Sequence, residues 1–241
     1  MALPSLGPSA APLPPPGAFV YADVLFGTFV SRPNRFVALV DTGAGRVVCH
    51  VKNTGRCREL LLQGARVVLS RATASGRKTA FDLIAAYKGD MLVNLDSQAP
   101  NQVAYHFLQS RHPGALVRRE VAHGDSRLDF HVQGSGLSLY VEVKGCTLEQ
   151  NGLALFPDAP TQRGVKHLHS LMRCVEEGHQ ALALFVIQMQ PVNAFSPNDA
   201  MHPAFGHALR EAARAGVQVL ACDCMVQPNW LAIDKPVPVQ L

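Results

Sequence analysis

Apolar and polar positions alternate with a period of two through most of residues 19–88 and again over 116–144. That is the spacing of half-buried strands. In the first stretch, runs such as Phe36-Val37-Ala38-Leu39-Val40, Val47-Val48-Cys49-His50-Val51 and Ala65-Arg66-Val67-Val68-Leu69 are parted by Gly, Asn and Asp turns. After Pro100 the rhythm changes to helix and strand. Asn101 is predicted to cap a helix running to about Gln109, and strands follow near 116–121, 127–132 and 137–144. Thr161 opens a helix that ends before Gly178. Its Val165, Leu168, Leu171, Met172 and Val175 recur at helical spacing and should face a sheet, with Arg163, Lys166, His167, Ser170 and Arg173 on the other side. The unbroken apolar run Ala181–Ile187 suits a central strand covered on both faces. The strand at 137–144, the helix at 161–177 and this strand make a right-handed crossover. A helix over about 203–215, Gly216 and a strand over 217–221 complete the series.

This order predicts an α+β chain of two domains. Residues 1–18, rich in Pro and Ala, read as a disordered leader; with no Lys or Arg ahead of an apolar core, they are neither signal peptide nor membrane span. Residues 19–90 read as an OB-like β-barrel of five strands, and 91–241 as an α/β domain with a mixed central sheet. The chain of 241 residues is 48% hydrophobic and 17% charged, which fits a folded protein. Net charge is only +4, but residues 1–100 hold eleven Lys or Arg against six Asp or Glu. A basic barrel fits a phosphate-contacting module. Aromatic side chains such as Phe29, Phe36, Phe81 and Tyr87 are available for base stacking, although most of them belong in a core. The six cysteines form no Cys-x-x-Cys pair. Buried, reduced thiols and a cytoplasmic location are the expectation.

The chemistry concentrates in Ser126-Arg127-Leu128-Asp129-Phe130 and Tyr140-Val141-Glu142-Val143-Lys144. Leu128, Phe130 and Val132 should share one strand face, and Leu139, Val141 and Val143 another, leaving Asp129, Glu142 and Lys144 opposite. A two-residue loop at Ser135-Gly136 would set Asp129 directly across from Glu142, with Cβ atoms about 5 Å apart. Two carboxylates that close call for a cation between them, and Mg²⁺ or Mn²⁺ suits one or two carboxylates plus water and phosphate oxygen. Lys144 would orient or deprotonate water, or stabilise developing charge. Asp…Glu-x-Lys in this series of elements resembles the restriction-endonuclease-like (PD-(D/E)xK) nucleases.

A longer set of motifs resembles the sugar fermentation stimulation protein (SfsA) family. It comprises His50-Val51-Lys52-Asn53-Thr54-Gly55-Arg56, Arg77-Lys78-Thr79, Pro100-Asn101, Glu120-Val121, the hairpin above, and Phe156-Pro157-Asp158-Ala159-Pro160-Thr161 continuing through Arg163-Gly164 and Lys166-His167-Leu168. The resemblance implies an N-terminal OB-like domain, a restriction-endonuclease-like C-terminal domain, DNA binding without marked sequence preference and a regulatory link to sugar (maltose) use. It leaves catalysis open. The resemblance also implies a Glu near the position of His106, whereas residues 101–110 here hold no carboxylate. Glu120 is the candidate third metal ligand or water positioner, and His106 the candidate half-buried helix residue.

Candidate nucleic-acid contacts are Lys52, Asn53, Arg56, Arg77, Lys78, Arg163, Lys166 and His167. The Asn53–Arg56 segment reads either as a turn whose N–H groups grip phosphate or as a plain barrel turn. Asp158 is expected to cap the following helix, and Arg127 to pair with Asp129. Three functions stand: a Mg²⁺- or Mn²⁺-dependent nuclease acting on DNA, a non-catalytic DNA-binding regulator, and an enzyme acting on RNA. No membrane partner is expected, and self-association is left open.

Overall fold

The structure, a computed structural model, describes residues 12–53, 55–72 and 77–241. Residues 1–11 of the expected leader and Thr54 of the expected phosphate-gripping turn lie outside them.

The barrel is built from β2 (Val24–Asn34), β3 (Val37–Thr42), β4 (Gly45–Val51), β5 (Arg66–Arg71) and β6 (Phe81–Lys88). Antiparallel pairing joins β2 to β3, β3 to β4, β2 to β5 and β5 to β6; the parallel β4–β6 pair closes the ring. Alternation drives the closure. Ala38 and Val40, Cys49 and Val51, and Val67 and Leu69 bury one residue in two inside the barrel. β7 (Met91–Asn94) adds to β6, so the barrel sheet runs four residues past the boundary expected at 90.

The second sheet has seven strands. β1 (Phe19–Val20), β8 (Leu116–His123), β9 (Ser126–Gly134), β10 (Leu137–Cys146), β13 (Gln180–Ile187), β15 (Gln218–Gln227) and β16 (Trp230–Val237) stand in the order β1-β16-β15-β13-β10-β9-β8. The β10–β13 and β13–β15 pairs are parallel and the rest antiparallel, so the sheet is mixed as expected. β1 is therefore part of this sheet, not of the barrel. Residues 12–18 are not a free tail either, for Trp230 Nε1 donates to Pro12 O at 3.0 Å.

Helix α1 (Ala99–Arg111) covers one face of the sheet; α2 (Gln162–Glu176) and α3 (Pro203–Arg214) cover the other. β13 shows why its sequence is unbroken in apolar residues. Leu182, Leu184 and Val186 pack on the α1 side, and Ala181, Ala183, Phe185 and Ile187 on the α2/α3 side. Thr161 caps α2 as predicted, accepting from Gly164 N–H at 3.0 Å. β11 (Leu148–Gln150), β12 (Leu153–Phe156) and β14 (Ala194–Pro197) form a small third sheet, to which Lys88 of β6 is tied by its ion pair with Glu149 at 2.5 Å.

Polar ties lock the two domains. Lys52 Nζ meets Asp96 Oδ2 at 2.7 Å, with the aspartate fully buried. Asn53 Nδ2 donates to Leu95 O at 3.0 Å. Gln188, at the end of β13, donates to Asn94 Oδ1 (2.9 Å) and to Asp96 O (3.1 Å).

Candidate active site and cleft

The β9–β10 ladder runs from Leu137↔Gly134 to Val141↔Phe130, so the two-residue loop sets the register anticipated from Ser135-Gly136. The next rung would pair Glu142 with Asp129. There the backbone ladder ends and a side chain takes its place: Val143 N–H donates to Asp129 Oδ2 at 2.8 Å.

A local twist explains the break. Phe130 and Val132 belong to the core under α1, whereas Leu128 belongs to the core under α2. The shared face expected for Leu128, Phe130 and Val132 is thus interrupted at Asp129. On β8, Val117 and Val121 divide in the same way, and Glu120 between them has a left-handed φ of 55°. Asp129 sits where the strand changes sides, under the first turn of α1. Asn101 Nδ2 donates to its other oxygen, Oδ1, at 2.8 Å. Asn101 is therefore no N-cap: the cap position is Gln98, which makes no side-chain capping bond, and Asn101 lies inside the helix and holds Asp129. Gly145 lets α1 come this close. A Cβ there would stand 2.5 Å from Gln188 Oε1 and 2.7 Å from Pro100 Cγ.

Glu142 faces α2 and is 3% exposed. Its Oε1 accepts from both Lys144 Nζ and His167 Nδ1. Its Oε2 is buried and has no hydrogen-bond partner among the described residues. Arg163 Nε donates to His167 Nε2 at 3.3 Å, which makes that nitrogen the acceptor and places the imidazole proton on Nδ1, toward Glu142. Burial works to raise the Glu142 pKa, but the hydrogen bond from His167 and the Lys144 charge outweigh it, and the net shift is downward. Asp129 shifts the other way. Burial, then the Glu142 charge, raise its pKa against the Val143 and Asn101 hydrogen bonds. The pair thus holds one firmly ionised carboxylate and one that repels a second negative charge.

Other expectations are redistributed. His167 and Ser170 are buried rather than on a solvated helix face, and Ser170 Oγ bonds Ser126 Oγ at 2.6 Å. Glu120 is exposed, and its carboxylate pairs with Arg127 at 2.9 Å. Arg127 is therefore not the partner of Asp129, and among the described residues no three His, Cys, Asp or Glu side chains gather as a metal cluster. Lys166 reaches Asp125 (3.1 Å), and Arg77 bonds Asp82 (2.9 Å). Lys52 and Asn53 are occupied by the domain ties above. Asp158 does not cap α2; its Oδ2 accepts from Arg56 N–H at 3.1 Å. With Gly55 N–H bonded to Asn53 Oδ1 (2.6 Å), the N–H groups of Gly55 and Arg56 are engaged internally. Arg32 holds the carbonyls of this turn, donating to Asn53 O (2.9 Å), Gly55 O (3.0 Å) and Arg56 O (2.9 Å). The Arg56 and Lys78 side chains stay exposed. His106, expected half-buried, is exposed and lies against Gly17 of the leader, away from Asp129. All six cysteines are buried and free, and burial pushes four of the thiols (Cys49, Cys57, Cys146 and Cys174) up to about 12.

Adjoining hollows line the domain boundary around Ser97 and Gln98. One of about 340 Å³ is lined by Asn101, Gln102, Arg119, Glu120 and Asp129. Another of about 130 Å³ is lined by Phe36, His50, Lys52 and Asn53. A third of about 440 Å³ extends to Arg71 and Arg77, and a fourth of about 410 Å³ to Gly145 and Asp158. The cleft therefore connects the barrel rim to Asp129.

Fold and site define a two-domain protein that joins an OB barrel to a restriction-endonuclease-like sheet domain with an Asp…Glu-x-Lys hairpin. Comparison with known proteins agrees. Residues 30–95 match the SfsA N-terminal OB domain, and residues 98–230 match the sugar fermentation stimulation protein RE domain. The chain belongs to the SfsA family. It is 46% identical to a sugar fermentation stimulation protein homolog of Desulfitobacterium hafniense (strain Y51), covering 92% of this chain and 98% of the relative. It is 43% identical to a homolog of Ruminiclostridium cellulolyticum, covering 92% and 99%. A solved structure described as Pyrococcus furiosus SfsA in complex with Ca²⁺ superimposes with a TM-score of 0.83 at 25% identity, covering 92% of this chain and 98% of that one.

Proposed function

We propose that this protein is a metal-dependent nuclease that hydrolyses phosphodiester bonds in DNA, with Asp129 and Glu142 holding Mg²⁺ or Mn²⁺. The observation that carries the reading is Glu142: a carboxylate with one oxygen fixed by two donors and the other buried without a partner. A buried, unsatisfied, ionised oxygen is costly unless something binds it. Next to it stands a second carboxylate, and hard oxygen donors of this kind fit a divalent cation. When bound, the cation would polarise the scissile phosphate and acidify a coordinated water.

The chain's own groups have separate tasks. Asn101 and the Val143 N–H fix the two oxygens of Asp129. His167, itself held by Arg163, orients Glu142. Lys144 Nζ donates to Glu142 and offers its remaining N–H bonds to a phosphate oxygen. Glu120 is left outside the pair. Pyrococcus furiosus SfsA, solved in complex with Ca²⁺, supports an oxygen-ligand site in the family. The buried free thiols fit a reducing compartment, which supports a cytoplasmic location as part of this proposal.

The test is cleavage of labelled single-stranded, duplex and branched DNA and RNA in Mg²⁺ or Mn²⁺, beside Asp129→Ala and Glu142→Ala. Metal-dependent cutting that both substitutions abolish, with binding retained, is the expected result. One observation favours a second reading, a DNA-binding regulator linked to sugar metabolism: Glu120, the expected third ligand, is drawn off to Arg127. Binding without cutting, indifferent to both substitutions, would select it.

A further inference from the structure

We propose that the cleft takes one unpaired polynucleotide strand, with a base stacked on Phe36 at the point where the hollows meet. The inference rests on the nucleic-acid reading above and adds to it the strand state of the substrate and the residue that recognises it.

Among the described aromatic residues lining these hollows, Phe36 is the exposed one; Phe19 and Phe156 are half-buried, and Tyr21 and Phe130 are buried. Of the four barrel aromatics picked out in the sequence, Phe29 is core at 4% exposure, whereas Phe36 is 42% exposed. It is the second residue of the two-residue β2–β3 turn, where Asn34 Oδ1 accepts from its N–H at 2.9 Å and fixes the backbone. Phe36 O accepts from Val51 N–H at 2.8 Å, which ties the residue to the end of β4. The ring is thus presented on rigid backbone. It lines the hollow shared with His50, Lys52, Asn53, Ser97 and Gln98. Those residues also line the other three hollows: His50, Lys52 and Gln98 the one toward Arg71, Asn53 and Ser97 the one toward Gly145, Ser97 and Gln98 the one reaching Asp129. A strand running from the barrel to Asp129 passes Phe36.

The charges along this path suit a polyanion. The Arg35 guanidinium stands 4.7 Å from the Phe36 ring centroid, and that of Arg71 lies 5.2 Å from Phe81. Among the described residues neither Arg35 nor Arg71 forms an ion pair, so both remain available for phosphate, unlike Lys52 and Arg77. Gln98, the N-cap residue of α1, makes no side-chain capping bond among the described residues and lines the same cleft.

Size and rigidity favour one strand over two. At about 130 Å³ the Phe36 hollow is the smallest of the four. The Lys52–Asp96, Asn53–Leu95 and Gln188–Asn94 ties hold its walls in place. An aromatic face also stacks only on a base whose own face is uncovered, which excludes a base inside a paired helix.

The experiment is fluorescence anisotropy with the full chain in Ca²⁺. The probes are a labelled single-stranded DNA, the same sequence as RNA, and the matched DNA duplex, tested against wild type, Phe36→Ala and Phe36→Tyr. Base stacking predicts a loss of roughly 5- to 100-fold in single-strand affinity for Phe36→Ala, recovery in Phe36→Tyr and little change for the duplex. Equal losses on DNA and RNA strands would show that stacking is indifferent to the sugar; a loss on one alone would identify that polynucleotide as the one that reaches Phe36. The inference is overturned if Phe36→Ala binds single strands within twofold of wild type, if wild type prefers the duplex, or if all three probes weaken alike. Wild type that binds none of the probes would overturn the nucleic-acid reading itself. Phe36 is exposed, so the melting temperature of Phe36→Ala should match wild type and keep the comparison valid.

Discussion

Replacing Lys52 by methionine separates the role its sequence context suggested from the role its surroundings give it. Beside Asn53 and Arg56, Lys52 looks like a phosphate contact. In the fold its ammonium lies 2.7 Å from Asp96, whose side chain is 0% exposed. Lys52→Met keeps the aliphatic stem but leaves a buried carboxylate without its counter-charge. Breaking a buried pair by removing one partner costs about 3–5 kcal/mol. Asp96 keeps two donors, Gln98 N–H at 2.9 Å and Tyr21 OH at 3.3 Å, so the lower end, about 3 kcal/mol, is expected. For a chain of this size that lowers the melting temperature by roughly 6–12 °C. Adding Asp96→Asn removes the stranded charge and should recover most of the loss. The assay is thermal and urea unfolding of wild type, both single variants and the double variant. A Lys52→Met melt within 2 °C of wild type, with nucleic-acid affinity lowered, would refute the reasoning and return Lys52 to the ligand.

Other expectations follow from the same geometry. His167→Ala should weaken Mn²⁺ affinity and cleavage about 10- to 100-fold, and His167→Asn, which keeps a donor toward Glu142, should restore part of both. Unchanged calorimetric affinity in His167→Ala would remove its positioning role. Gly145→Ala should lower cleavage at modest cost in stability, because its methyl group meets Pro100 and Gln188 and pushes α1, with Asn101, off Asp129; wild-type activity would contradict this. His131 stacks on Tyr140 at 4.1 Å, and burial, then the charges of His179, Arg118 and His123, lower its pKa. The unfolded chain then takes up the proton more readily, so stability should fall as pH drops below about 6.5. Urea midpoints measured from pH 7 to 5 should decline less in His131→Phe than in wild type; identical slopes would exclude His131 as the source.

What the sequence disclosed was local. Alternation located the barrel strands, the 3.6 period and Thr161 located α2, and the Ser135-Gly136 loop set the hairpin register that brings Asp129 to Glu142. What it withheld were contacts between distant segments. Nothing near Asn101 announces Asp129, 28 residues away, although an amide in the first turn after Pro100 could have been read as a residue facing the sheet. Arg32 gathering the carbonyls of the Asn53–Arg56 turn is a contact between separate barrel segments, and Asp158 receiving Arg56 N–H is a product of domain packing. The left-handed Glu120 was illegible for another reason. A non-glycine residue at φ 55° defies propensity, and here the change of side at Asp129 accompanies it. Lys52 and Arg77 resembled ligand contacts because a basic residue in a turn reads the same whether its partner is a phosphate or a buried aspartate.

The most direct test of the central claim is calorimetric titration of the purified chain with Mn²⁺ and Ca²⁺ in the absence of nucleic acid. The account predicts saturable binding in wild type that Asp129→Ala and Glu142→Ala each abolish while melting behaviour confirms a folded protein. Wild type that takes up neither cation, or variants that bind as tightly as wild type, would contradict it.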